Sequence, residues 1–172
     1  MTRRAHACLT RPTDQAPSGA TTRPAPMTIT GTCRCAAVTF EAYCQPVMTS
    51  ACHCLGCQKM SASAFSLTAL FPSEHFVVTR GEPVIGGLHG PTRHFFCGHC
   101  MTWLFTRPAG VDAFVGVRSS LLEDSHRYAP FMETWMREKM PWAQTGAAVS
   151  FDGFPAVQDY PALMAQYRAV SG

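Results

Sequence analysis

Short stretches of period-two alternation dominate the chain from residue 38 onward. Val38, Phe40 and Ala42 alternate with Thr39, Glu41 and Tyr43, and Phe65, Leu67, Ala69 and Phe71 alternate with Ser66, Thr68 and Leu70. Such a pattern turns one side of a strand toward a core. Residues 76–79, 93–96, 103–106 and 113–117 read as further strands, punctuated by Arg80-Gly81-Glu82-Pro83, Gly86-Gly87, Gly90-Pro91 and Arg107-Pro108 as turns. Short strands on short connections predict a mainly β chain of antiparallel pairs rather than a βαβ series. Helical patterning is sparse. Residues 130–140 predict a turn or two of helix, and residues 161–170 a short C-terminal helix with proline at its first position.

Composition bounds the picture without changing it. The 172 residues are 47% hydrophobic, which suits one globular domain and not a disordered, collagen-like or low-complexity chain. No apolar run is long enough to span a membrane as a helix. The net charge of +3 is located entirely in the first 26 residues, where Arg3, Arg4, Arg11 and Arg23 face only Asp14. From residue 27 on, basic and acidic residues balance, so the basic stripe of a nucleic-acid binder is missing. Residues 1–26 carry four prolines and few large apolar side chains. They are expected to be a disordered extension or a misplaced start, with Met27 as the first residue of a single domain over residues 27–172. They lack the apolar stretch of a secretory signal, and their prolines spoil the amphipathic helix of a transit peptide. A cytoplasmic, reducing setting is therefore expected, in which clustered cysteines read as metal ligands or reactive thiols rather than disulfides.

The cysteines carry the chemistry. Seven of the nine form three clusters: Cys33 and Cys35, then Cys52, Cys54 and Cys57, then Cys97 and Cys100. Thiolates so spaced grip one ion while the chain turns around it, and zinc takes about four ligands in a tetrahedron. Buried structural thiols or a redox dithiol are the competing readings. Seven ligands do not make two complete four-thiolate sites. One natural division lets the middle cluster close locally with three, while the outer clusters pair as four and tie the first strand to the later hairpin. A zinc with three protein ligands keeps a position for water or a thiol, as catalytic sites do. A histidine can instead complete that set. His53, His94 and His99 stand near clusters, although each also reads as a surface or packing histidine. Cys44 reads as a small strand-end residue, and Cys8 has no assignable role.

These motifs resemble the glutathione-dependent formaldehyde-activating enzymes, a domain family that includes centromere protein V. The likeness covers residues 31–142. Gly31-Thr32-Cys33-Arg34-Cys35 resembles the opening motif and Cys52-His53-Cys54-Leu55-Gly56-Cys57-Gln58-Lys59 the central one. Arg80-Gly81-Glu82-Pro83, the run from Arg93 through Cys97 to Cys100, and Lys139-Met140-Pro141-Trp142 follow in order. The resemblance implies an Mss4-like fold of packed antiparallel sheets with two zinc sites. It implies structural zinc at Cys33, Cys35, Cys97 and Cys100, and active-site, labile zinc at Cys52, Cys54 and Cys57. The reaction it implies joins the thiol of glutathione, or a related small thiol, to formaldehyde or another small aldehyde, with carbon–sulfur lyase chemistry in reverse. Three positions depart from the family pattern, which often has Gly where this chain has Ala36, Ala62 and Met101. Gly serves where φ is positive, so modest local reshaping is expected at the alanines and a different turn at Met101.

In this expectation a thiol's pKa falls at the middle cluster, and the thiolate attacks the aldehyde carbon. Lys59 can meet a glutathione carboxylate or stay solvated, and Trp103 and Phe105 read as core rather than substrate wall. The alternative is a non-catalytic zinc-binding domain that mediates protein interactions, favoured by the lack of an obvious general base beside the middle cluster. Neither reading calls for nucleic acid or membrane.

Overall fold

The computed structural model describes residues 27–88 and 90–171, so the expectation for residues 1–26, and Cys8 with it, lies outside the described residues. In chain order the elements are β1 (Ile29–Thr32), β2 (Thr39–Ala42), β3 (Met48–Cys52), α1 (Leu55–Ser61), β4 (Ser66–Pro72), β5 (Phe76–Arg80), β6 (Pro83–Gly86), β7 (Arg93–Cys97), β8 (Trp103–Arg107), β9 (Phe114–Arg118), β10 (Met132–Thr134), β11 (Val149–Ser150) and α2 (Tyr160–Val170). Strands β1-β2-β5 form a small sheet, and the larger sheet runs β11-β10-β3-β4-β9-β8-β7-β6. The architecture is mainly β, consistent with the Mss4-like arrangement.

The alternation explains the layering. In β2 the inward residues Phe40 and Ala42 are buried, as is Val38 just before it. They meet Ala69 and Phe71 of β4, Phe105 of β8, and Val115 and Val117 of β9 in one continuous core between the sheets. Phe76 of β5 joins the layers, with its ring centroid 5.6 Å from Phe40 and 5.0 Å from Phe105. Burying side chains of this size contributes about 1.5–3 kcal/mol each. Phe105 belongs to this core, as expected, and Trp103 is buried as well, though outside that cluster.

The other face of the large sheet is covered at one end by α2. There Leu163 and Tyr167 pack on Met48, Phe131 and Met132. The helix begins with Pro161 in its first turn, as the pattern predicts. Two expectations need correction. Residues 130–140 are not helical beyond a single 3-10 turn, because Met132–Thr134 pair with β3 instead. That pairing is parallel, as is β10 with β11, so two parallel pairings sit at one edge of a sheet that is otherwise antiparallel, as expected. Pro83, read as part of a turn, opens the edge strand β6, a position where its missing N–H faces no partner strand.

Candidate metal centres

The outer cysteine clusters meet. Cys33 and Cys35 lie in the β1–β2 connection, while Cys97 ends β7 and Cys100 lies in the β7–β8 hairpin. Each connection is a tight turn. Ala36 N–H donates to Cys33 O at 3.0 Å, and Met101 N–H to Cys97 O at 3.0 Å. The four Sγ atoms lie within 4.8 Å of one another. Cys33 and Cys35 sulfurs are 3.5 Å apart, and Cys35 and Cys97 sulfurs 3.8 Å. Four thiolates around zinc at its usual bond length stand about 3.8 Å apart, so the donor set fits a tetrahedral ion. Val38 N–H donates to Cys33 Sγ at 3.3 Å. The Thr102 hydroxyl lies 3.1 Å from Cys100 Sγ and, with the Thr102 N–H, brings that thiol down to about 5. The cluster joins the small sheet to the far end of the large one.

The three departures from the family pattern keep the glycine-type backbone. Ala36, Ala62 and Met101 have φ of 59°, 48° and 56°. The expectation of a different turn at Met101 is therefore corrected, since the hairpin holds its left-handed residue with a methionine in place. Hydrogen bonding on both sides over-determines the conformation, with Cys97 N–H donating to Thr102 O at 2.9 Å as well.

The middle cluster sits where β3 hands over to α1. Cys52 ends β3, Cys54 is the N-cap of α1, and Cys57 lies in the first turn. Their Sγ atoms are also within 4.8 Å of one another, and all three residues are partly exposed. As cap, Cys54 Sγ accepts from Cys57 N–H at 3.3 Å, the role Ser or Asp usually fills. Cys57 donates to Cys52, which draws the Cys52 thiol down to about 5 and pushes Cys57 up. Burial pushes Cys54 up. No histidine among the described residues joins either set. His94 is held by Thr106 Oγ1 at 2.9 Å and lies edge-on to Trp103, while His99 is exposed.

His53 is fully buried and turned away from the sulfurs' task. Its Nε2 lies 3.0 Å from Glu133 Oε1, which also accepts from Lys139 Nζ at 3.0 Å. Burial opposes ionisation of Glu133, but hydrogen bonds from Thr145, Lys139 and His53 outweigh it and hold the carboxyl at about 2. The same late segment reaches α1, where Leu55 N–H donates to Glu138 Oε2 at 2.6 Å and Gln58 Nε2 to Glu138 O at 2.9 Å. Residues 133–139 thus brace the loop that carries the three cysteines. Glu133 has no role in the sequence reading, because its buried partner His53 lies 80 residues away in the chain. Lys59 is exposed near the end of α1, and Cys44 is buried in the main core beyond β2.

Comparison with known proteins agrees with the motifs. No curated protein matches the chain. Among solved structures, the crystal structure of a Rhodobacter sphaeroides protein from a structural-genomics programme matches at a TM-score of 0.45 and 21% identity, covering 55% of this chain and 88% of that one. A family model described as glutathione-dependent formaldehyde-activating enzyme matches residues 28–138. That span takes in both cysteine clusters and most of the segment that braces the three-cysteine loop, and the chain belongs to the glutathione-dependent formaldehyde-activating enzyme family.

Proposed function

We propose that this protein is a zinc-dependent carbon–sulfur lyase or synthase, which forms and splits the adduct between glutathione, or a related small thiol, and formaldehyde or another small aldehyde. The observation that carries the reading is the inequality of the two clusters. Four sulfurs converge where the small sheet meets the large one, but only three converge at the start of α1, one short of a tetrahedral set. In this reading Cys33, Cys35, Cys97 and Cys100 hold structural zinc, and Cys52, Cys54 and Cys57 hold the labile, active-site ion. When bound, zinc with three protein ligands supplies one further position and lowers the pKa of a thiol that enters it.

The chain's own residues do the rest. Cys54 caps α1 and fixes the spacing of Cys57, while Glu133 and Lys139 lock His53 and hence the loop between Cys52 and Cys54. The sulfur–carbon bond forms as the thiolate attacks the aldehyde carbon. The carbonyl oxygen then takes up the proton that the thiol released, so the addition needs no further reactant and runs equally in reverse.

The test counts zinc per chain, adds glutathione and formaldehyde, and follows S-(hydroxymethyl)glutathione exchange by NMR, with Cys54→Ser as control. Enhanced exchange that Cys54→Ser abolishes supports the reading. No enhancement, with both zincs inert to chelator and to glutathione, favours a non-catalytic zinc domain that binds a protein partner.

A further inference from the structure

We propose that Arg118 is the group that recognises a carboxylate carried by the thiol ligand of the three-cysteine cluster. The proposal rests on the reading above, that this cluster loaded with zinc accepts a small thiol.

Strand register places Arg118 and the cluster on one face of the large sheet. Cys52 is opposite Ser66, Thr68 is opposite Arg118, and Leu70 is opposite Gly116. Residues two apart on a strand share a face, so Cys52, Ser66, Thr68, Arg118 and Gly116 do so. Gly116 lies opposite Thr106, and Thr106 opposite His94, which extends the same face to β7. The reverse face carries Ala69, Phe71, Val115 and Val117 and is the apolar core. One sheet therefore has a dry side and a polar side, and the polar side runs from the three cysteines to Arg118.

Arg118 has donors and almost nothing to give them to. It is 8% exposed, and its Nε is buried without a hydrogen-bond partner. Its Nη2 makes one long bond, 3.4 Å, to Gly116 O. Among the described residues no carboxylate forms an ion pair with it. A guanidinium carries five N–H donors in a planar fork, and burying it without acceptors is unfavourable. The fork is nevertheless held still, since its Cζ sits 4.0 Å above the Trp103 ring. Trp103 is fixed in turn by Thr106 Oγ1, which accepts from its Nε1 at 3.2 Å. A guanidinium stays protonated in proteins, so a cation lies on the same sheet face as Cys52.

Residues on the same face reach solvent. At Gly116 a Cβ would crowd Thr68 Cγ2 at 3.0 Å and stand at ordinary contact distance, 3.7 Å, from Arg118 Nη2, so glycine lets β4 and β9 lie close together under the fork. Thr68 and His94 are partly exposed, and Met60 of α1 lies against Gly87 of the β6–β7 turn. A planar bidentate donor in a water-poor setting selects a carboxylate over an alcohol or a neutral amide. It also counters the negative charge of three thiolates on zinc, which by itself repels an anionic thiol. The ligand class that fits both places is a thiol bearing a carboxylate, to which glutathione belongs.

The experiment uses the full chain loaded with two zincs and titrates it calorimetrically at pH 7. The probes are mercaptoacetate, mercaptopropionate and mercaptobutyrate, each beside the thiol-alcohol of equal length. At the chain length that spans the two groups, the acid should bind about tenfold tighter than its alcohol, as a charge-assisted hydrogen bond contributes. R118M should remove that preference and leave alcohol binding within about threefold, while R118K keeps part of it. Equal binding of acid and alcohol at every length in the wild type, or an acid preference that survives R118M, overturns the proposal but leaves the cluster as a thiol site. Failure of acids and alcohols alike removes the thiol-site reading itself and this proposal with it. Equal binding across the wild-type series overturns the proposal even where R118M does not fold, and R118K then tests the assignment to Arg118.

Discussion

Replacing Met101 by glycine should stabilise the protein. Met101 holds φ of 56° at the close of the Cys97–Cys100 hairpin, and its side chain is 59% exposed. A left-handed conformation costs an L-residue about 1–2 kcal/mol, because Cβ crowds the following carbonyl oxygen. Glycine escapes that cost but loses about 0.5–1 kcal/mol more backbone entropy on folding. The exposed side chain contributes little packing, so the net gain for Met101→Gly is about 0.5–1 kcal/mol, or a Tm rise of roughly 1–4 °C. Met101→Ala keeps Cβ and the same φ, and should stay within about 0.5 kcal/mol of the wild type. The assay is urea unfolding with zinc in excess, so that metal loss does not enter the comparison. Met101→Gly proving no more stable than Met101→Ala would refute the reasoning, since it would mean that Cβ at this φ is not the source of strain. Ala62→Gly, at the α1 C-cap with φ of 48°, is an independent repeat of the same experiment.

Other substitutions separate the remaining interactions. Gly31→Ala should destabilise by about 1–3 kcal/mol in the same unfolding assay, because the new Cβ would overlap the fully buried Phe40 ring; wild-type stability would mean that β1 shifts freely. Glu133→Gln should cost about 2–3 kcal/mol at pH 7. The Glu133 pKa is depressed, so its contribution is complete above the ordinary carboxylate value and fades as pH falls toward about 2. The stability gap between wild type and Glu133→Gln should therefore narrow in acid, and a gap independent of pH would exclude the charged Glu133 as its origin. Cys33→Ser should lower both zinc content and unfolding midpoint, whereas Cys54→Ser should release one zinc and leave most of the midpoint in place. Equal loss of stability in both variants would contradict the division into a structural and a labile site.

Local chemistry alone made the cysteine clusters legible. Thiolates two or three residues apart can serve one ion only where the chain turns, and the turns at Cys33–Cys35 and Cys97–Cys100 do so. Strands with clean alternation, such as β2, were equally readable, because a half-buried strand must separate its apolar and polar sides. Segments whose structure depends on distant partners were not readable. Residues 132–134 look like the start of a helix until β3 offers a parallel edge, and Met48-Thr49-Ser50-Ala51-Cys52 shows no clear alternation because its buried Thr49 is polar and donates to Ala129 O at 2.7 Å. The left-handed residues show the same limit, since a methionine disfavours φ of 56° and only the hydrogen bonds around it impose it. The meeting of the two outer clusters, Glu133 beside His53, and Arg118 stacked on Trp103 were decided by tertiary structure. Each joins residues from separate strands, and a buried charge takes its meaning from neighbours that sequence spacing does not specify.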